Sequence, residues 1–161
     1  MRRRITVLAA LAVTCLGTFA ATRPSEATTT GVDLSMTGSV VAGVRSAQPS
    51  QELAFVFTLH NRSTTTSAES SFTFTVKNGT VEGPEDYVCP LVASHFDINP
   101  DTPACEPGTL AAGKTTQAAL LVKTPSAGGV TVTVKACARD LDGYSDPVAS
   151  NNCKTVNIAI G

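Results

Sequence analysis

Two groups of residues in this chain have types and spacing that chemistry can use: a short acidic run and the cysteines. The acidic run is Asp140-Leu141-Asp142-Gly143-Tyr144-Ser145-Asp146. Alternating carboxylates around a turn glycine are how oxygen-ligand loops wrap Ca²⁺. The run lacks the third ligand position of such a loop, and no Glu closes it at the twelfth. An acidic turn between two strands accounts for the same residues without an ion, so no metal ligand is assigned. His60 and His95 are the two histidines. A hydrolase would need one of them as base beside a nucleophile, with a carboxylate behind it. The sequence has no Gly-x-Ser-x-Gly elbow and no Cys-His arrangement. No catalytic or cofactor-binding residue is assigned, and the expectation is a chain that is not an enzyme and carries no cofactor.

The cysteines depend on compartment. Arg2-Arg3-Arg4, an apolar run from Ile5 to Ala12 and the small residues beyond it read as a secretory signal peptide over 1–27. The apolar run is too short to span a bilayer. Cleavage after Ala27 is preferred and cleavage after Ala20 is the alternative. The arginines also raise the twin-arginine export route, which the following residues do not support. Cys15 leaves with the signal; Ala12-Val13-Thr14 before it is a poor lipidation motif. Cys89, Cys105, Cys137 and Cys153 remain. They lack Cys-x-x-Cys spacing, which argues against zinc. An even number in an exported protein implies disulfides, with three possible connectivities.

The chain has 12 Lys and Arg against 13 Asp and Glu. Removing residues 1–27 takes away four Arg and one Glu, which leaves eight basic against twelve acidic residues. A net charge near −4 argues against nucleic acid. No second apolar stretch is long enough for a membrane anchor, so the expectation is a soluble, secreted domain over 28–161.

The elements that position these residues are strands. Val32 to Thr37 alternates. Leu53, Phe55, Phe57 and Leu59 share one face against Ala54, Val56, Thr58 and His60 on the other. Asn61 to Ser70 reads as a polar turn. Phe72, Phe74 and Val76 alternate next, and Asn78-Gly79 is a tight-turn signal. Tyr87, Val88, Leu91 and Val92 suggest a short strand inside an otherwise irregular stretch from 84 to 114. Cys105-Glu106-Pro107-Gly108-Thr109-Leu110 reads as a turn-rich approach to a central hairpin of Thr115–Lys123 and Val130–Ala138. In its second arm Val130, Val132, Val134, Ala136 and Ala138 oppose Thr131, Thr133, Lys135 and Cys137. A polar loop from Arg139 to Asn152 leads to the last strand, with Val156, Ile158 and Ile160 on one face. No segment has a helical period. About seven short antiparallel strands in one domain mean an all-β, Ig-like sandwich with Greek-key connections. Its expected core is Phe55, Phe57, Phe72 and Phe74 against Val132, Val134, Val156 and Ile158.

The order of these pieces resembles a known family. An apolar strand ending in Asn61, a Ser/Thr-rich turn, Phe72 to Val76, a Cys, Gly108-Thr109-Leu110-Ala111-Ala112-Gly113, two Thr/Val strands and Asp146-Pro147-Val148-Ala149-Ser150-Asn151-Asn152 before the final strand look like the Ig-like repeat domain of bacterial envelope proteins. That domain is of unknown function and is related to CARDB-type cell-adhesion modules. The resemblance spans roughly residues 30 to 160. Its Asn-x-Gly-Pro turn is replaced here by His60-Asn61-Arg62-Ser63-Thr64. It implies an Ig-like fold and an envelope location, and it brings no catalytic residue.

Strand parity pairs two of the cysteines. Cys137 and Cys153 emerge on one outer face of neighbouring antiparallel strands. Cys89 and Cys105 flank the irregular loop, and the resemblance also places a cysteine before the Gly-Thr-Leu stretch. The expected bridges are Cys89–Cys105 and Cys137–Cys153. Asn61-Arg62-Ser63 and Asn78-Gly79-Thr80 match the glycosylation pattern and are idle in a bacterial chain.

The function expected is binding, adhesion or structural support at the envelope, with an unidentified envelope protein or a polysaccharide as partner. The location is extracellular, free or associated with the cell wall. End loops 84–113 and 139–152 are where a partner would be met. A carbohydrate-binding module is the alternative, with Tyr87 and Tyr144 as its only tyrosines and no Trp.

Overall fold

A computed structural model describes residues 31–83, 86–89, 95–97 and 104–161. The signal peptide, Cys15, and Leu91 and Val92 of the expected short strand lie outside the described residues.

Among the described residues ten strands form two sheets. They are β1 (Leu34–Val40), β2 (Ser46–Ala47), β3 (Glu52–Asn61), β4 (Ala68–Lys77), β5 (Tyr87–Val88), β6 (His95–Asp97), β7 (Ala104–Leu110), β8 (Thr115–Lys123), β9 (Thr131–Asp140) and β10 (Cys153–Ile160). A four-stranded sheet has the order β1-β3-β8-β5, and a six-stranded sheet the order β2-β10-β9-β4-β7-β6. Seven of the strands have seven residues or more; β2, β5 and β6 have two or three. All pairings are antiparallel except that of β2 with β10, which is parallel. The chain passes from one sheet to the other at seven of its nine strand-to-strand connections, β3–β4 and β8–β9 among them, which makes the connections Greek-key and the sandwich Ig-like. Among the described residues no helix is long and apolar enough to cross a membrane.

The core follows from strand alternation. Leu53, Phe55, Phe57 and Leu59 of β3 are buried, while Ala54, Val56, Thr58 and His60 are half-buried on the outer face. Val132, Val134, Ala136 and Ala138 of β9 face them from the other sheet. Phe57 meets Phe74 edge-on across the sheets at 5.9 Å, and Phe72 lies parallel to Phe74 at 6.2 Å. Each such side chain contributes about 1.5–3 kcal/mol through burial, before chain entropy is set against it. Val156, expected in the core, is only partly buried; Ile158 and Ile160 further along β10 are buried.

Two expectations are corrected. The central hairpin does not exist: β8 pairs with β3 and β5, and β9 pairs with β10 and β4. The two strands stack across the core instead, so Ala118, Leu120 and Val122 turn inward from one sheet and Val132 and Val134 from the other. Thr124 starts the crossover between them. It is buried, donates through Oγ1 to Gln48 O at 2.8 Å and accepts Gln51 N at 2.8 Å. The second correction is the 84–114 stretch, which contains β5, β6 and β7. Cys105 to Leu110 is strand, not an approach turn. Between Ser70↔Gly108 and Phe72↔Cys105, two residues of β7 oppose one of β4. This bulge accommodates Pro107, which has no N–H to donate, and Gly108, whose φ of 80° suits glycine.

Candidate functional site

One end of the sandwich gathers the residues singled out above. It holds the segment before β1, the β3–β4 turn, the β7–β8 turn and the long β9–β10 loop. Asn61 ties the β3–β4 and β7–β8 turns together. It has the inward parity of Leu53 to Leu59 and is fully buried. Its Nδ2 donates to Thr66 O and Leu110 O, both at 2.9 Å, and its Oδ1 accepts Ser63 N at 3.1 Å. Its backbone carbonyl accepts Gly113 N at 2.9 Å. Asn61, Gly108 to Gly113 and the turn between them are therefore one polar clasp, built to satisfy buried backbone groups. Asn61 is not exposed for glycosylation.

The β9–β10 loop is held by its own carboxylates. Asp140 Oδ2 accepts Tyr144 N at 2.6 Å across the turn at Gly143, whose φ is 80°. Asp142 Oδ2 accepts Glu69 N at 2.8 Å, and Leu141 N donates to Glu69 O at 2.8 Å. The carboxylate thus continues the β4–β9 ladder past its last residue pair. Asp146 Oδ1 accepts Val148 N at 2.7 Å and its Oδ2 accepts Leu34 N at 2.9 Å, which fastens the loop to β1. Asn151 Nδ2 reaches Asp33 Oδ1 at 3.1 Å. Three carboxylates that a calcium loop would turn towards one ion are turned to separate backbone amides. Among the described residues no three His, Cys, Asp or Glu side chains converge.

Two disulfides frame the described chain. Cys137 and Cys153 face each other in register, with Cα atoms 4.1 Å apart and sulfurs 2.09 Å apart. Ala138 N donates to Asn152 O next to them, so 137 and 153 form the closer, non-hydrogen-bonded kind of pair. The bridge closes the base of the β9–β10 loop. Cys89 and Cys105 are bonded at 2.02 Å with Cα atoms 5.8 Å apart. Cys89 follows β5 of one sheet and Cys105 lies in β7 of the other, so this bridge joins the sheets at their edge.

The histidines are kept apart. His60 is on the outer face of the four-stranded sheet opposite Thr115, and His95 is in β6 of the other sheet. Among the described residues no hydrogen bond joins His60 to a nucleophile or a carboxylate. The loop exposes three large apolar side chains, Leu141 at 39%, Tyr144 at 45% and Val148 at 44%, among the equally exposed Asp142, Ser145 and Ser150. Of these, Tyr144 was weighed in the sequence as an aromatic for binding; Leu141 and Val148 stood there only within the 140–146 and 146–152 stretches.

No family model matches this sequence, and no curated protein matches it. Solved structures do. A crystal structure of the CARDB domain of the PF1109 protein from Pyrococcus furiosus, in complex with di-metal ions, is similar with a TM-score of 0.55 at 12% identity. The match covers 85% of this chain and 95% of that one. A solution structure of the same domain is similar with a TM-score of 0.50 at 9% identity, covering 80% of this chain and 95% of that one. The likeness is one of fold: this chain has a CARDB-like sandwich.

Proposed function

We propose that this chain is an exported, non-enzymatic binding module of the bacterial envelope that meets a partner through its β9–β10 loop. The observation that carries the reading is a cross-linked, hydrogen-bonded loop with exposed apolar side chains. Leu141, Tyr144 and Val148 are exposed, while a disulfide closes the loop and four carboxylate–amide hydrogen bonds hold its backbone. A loop ordered before binding loses little entropy on binding, and apolar or aromatic residues at its tip are typical anchors. The mixture of apolar and acidic groups suits a protein surface. Among the described side chains Tyr144 is the one exposed ring, and a polysaccharide would call for more. Two disulfides suit an extracellular location. The non-enzymatic part draws support from where the polar groups go, since the loop carboxylates hold backbone amides.

The test is retention of envelope proteins from a cell-wall fraction, run beside a glycan array. The unmodified domain is expected to retain a defined protein, and the triple variant Leu141→Ser, Tyr144→Ala, Val148→Ser to lose it while melting at an unchanged temperature. A glycan hit dependent on Tyr144 would replace this reading with a carbohydrate-binding one. Retention that survives the triple variant would move the site off this loop.

A further inference from the structure

Beneath the loop, the inner face of the six-stranded sheet ends in oxygen atoms that have no donor. Ser70 and Asp140 face each other in register across β4 and β9. Both have inward parity: Ser70 follows Ala68 and precedes Phe72 and Phe74, and Asp140 follows Ala136 and Ala138. Ser70 is fully buried, and its Oγ has no hydrogen-bond partner. Asp140 Oδ1 is also buried without a partner, although Oδ2 is engaged by Tyr144 N. Asn151 Oδ1 and Asn152 Oδ1 are in the same condition. Asn152 lies beside Ala138, whose N–H its carbonyl accepts, two residues before Asp140 along β9. All four atoms are oxygens, borne by residues at the paired ends of β4 and β9 and in the turn that leads into β10.

Buried polar atoms are almost always paired, and a carboxylate oxygen is the costliest to leave alone. Four unpaired acceptors cannot satisfy one another, apart from the single proton of the Ser70 hydroxyl. One carboxylate, two amide carbonyls and a hydroxyl are a ligand set of hard oxygens, which suits an oxygen-seeking cation such as Ca²⁺. We infer that Ser70, Asp140, Asn151 and Asn152 form a cation site at the root of the β9–β10 loop. It is distinct from a wrap by the 140–146 turn, because Asp142 and both oxygens of Asp146 are bonded elsewhere. With one formal charge the site is weak, in the range of about 10⁻⁴–10⁻³ M typical of extracellular calcium modules. Its role is to brace the loop, and it does not depend on what the loop binds.

The test is the melting temperature of the disulfide-bonded domain, stripped with a chelator and titrated with Ca²⁺ at constant ionic strength. The expected result is a saturable rise. Asp140→Asn keeps an acceptor for Tyr144 N but removes the charge, and is expected to weaken the Ca²⁺ response about tenfold or more. Ser70→Ala, which removes one ligand and no charge, keeps the test decisive if Asp140→Asn folds poorly; it is expected to weaken the response by a smaller factor. No Ca²⁺-dependent shift in the unmodified domain would overturn the assignment, and so would a shift that both variants retain in full.

Discussion

The two disulfides span equal lengths of chain, 16 residues each, yet they sit in opposite surroundings. Cys137–Cys153 joins strands that already share a ladder of hydrogen bonds, and Cys153 is exposed. Cys89–Cys105 joins strands of different sheets, between which no ladder exists, and Cys105 is fully buried. The cross-sheet bridge does what backbone pairing cannot: it closes one edge of the sandwich, where β5 and β6 are too short to do so. The within-sheet bridge adds little to the pairing of β9 with β10. Its effect falls on the loop that starts at its ends. One region is tied for the sake of the core, and the other for the sake of a surface.

The comparison is most sharply tested by removing each bridge. By chain entropy each contributes about 3 kcal/mol. Cys89→Ala with Cys105→Ala is expected to cost about 1 kcal/mol more, because it also removes buried volume from the core. Urea unfolding of both double variants measures the difference; equal losses would erase the distinction between the two regions. Next in size is Asn61→Ala. It leaves the carbonyls of Thr66 and Leu110 without their donor, and a cost of at least about 2 kcal/mol is expected at about one to three per orphaned group. Gly38→Ala follows. A Cβ there would lie 2.5 Å from the Phe57 ring, and overpacking of this kind costs about 1–3 kcal/mol. It bears on the side of the sandwich that neither bridge closes, where β1 approaches Lys154 of β10.

Reactivity should separate the bridges as well. A small dithiol is expected to reduce Cys137–Cys153 first, because a thiolate can approach the exposed Cys153 in the folded state. Cys89–Cys105 should await opening of the sheet edge. Differential alkylation followed by peptide mapping reports the order, and simultaneous reduction would show that burial of Cys105 gives no protection.

The smallest effect is expected at the exposed ion pair of Lys123 with Glu82, 2.6 Å apart. The hydrogen bond and charge of Glu82 raise the Lys123 pKa above 10.5. A raised pKa contributes stability that is present below 10.5 and lost only as pH climbs through the higher folded value. Lys123→Met should therefore lower the melting temperature only slightly, and by the same amount from pH 5 to 9, as is usual for surface pairs.

Much of the sandwich was legible because alternation reports burial directly. Leu53 to Leu59 and Val132 to Ala138 could be assigned to the core residue by residue. Alternation does not say which neighbour a strand has. Thr115–Lys123 and Thr131–Asp140 carry the same pattern whether they pair in one sheet or stack across two, so the hairpin reading was as good as the crossover until register was known. β7 was hidden by Pro107-Gly108, which marks a turn in most sequences and a bulge here. Asn61 was the subtler loss. Its parity pointed inward with the leucines and phenylalanines before it, but an asparagine is buried only where acceptors wait. One of those, Leu110, is 49 residues away. The loop was nominated as a binding region from its position, while the amide targets of Asp142 and Asp146, on β4 and β1, could not be read from the loop itself.

The central claim is that the β9–β10 loop is held rigid by its bridge and its carboxylates. Amide hydrogen exchange tests it directly at Glu69, Tyr144 and Val148, whose N–H groups are bonded to Asp142, Asp140 and Asp146. In the disulfide-bonded domain these amides should exchange far more slowly than an unstructured loop. In Cys137→Ala with Cys153→Ala, Tyr144 and Val148 should speed up markedly while amides of β3 and β8 keep their protection. Rapid exchange at Tyr144 and Val148 with the bridge intact would contradict the account.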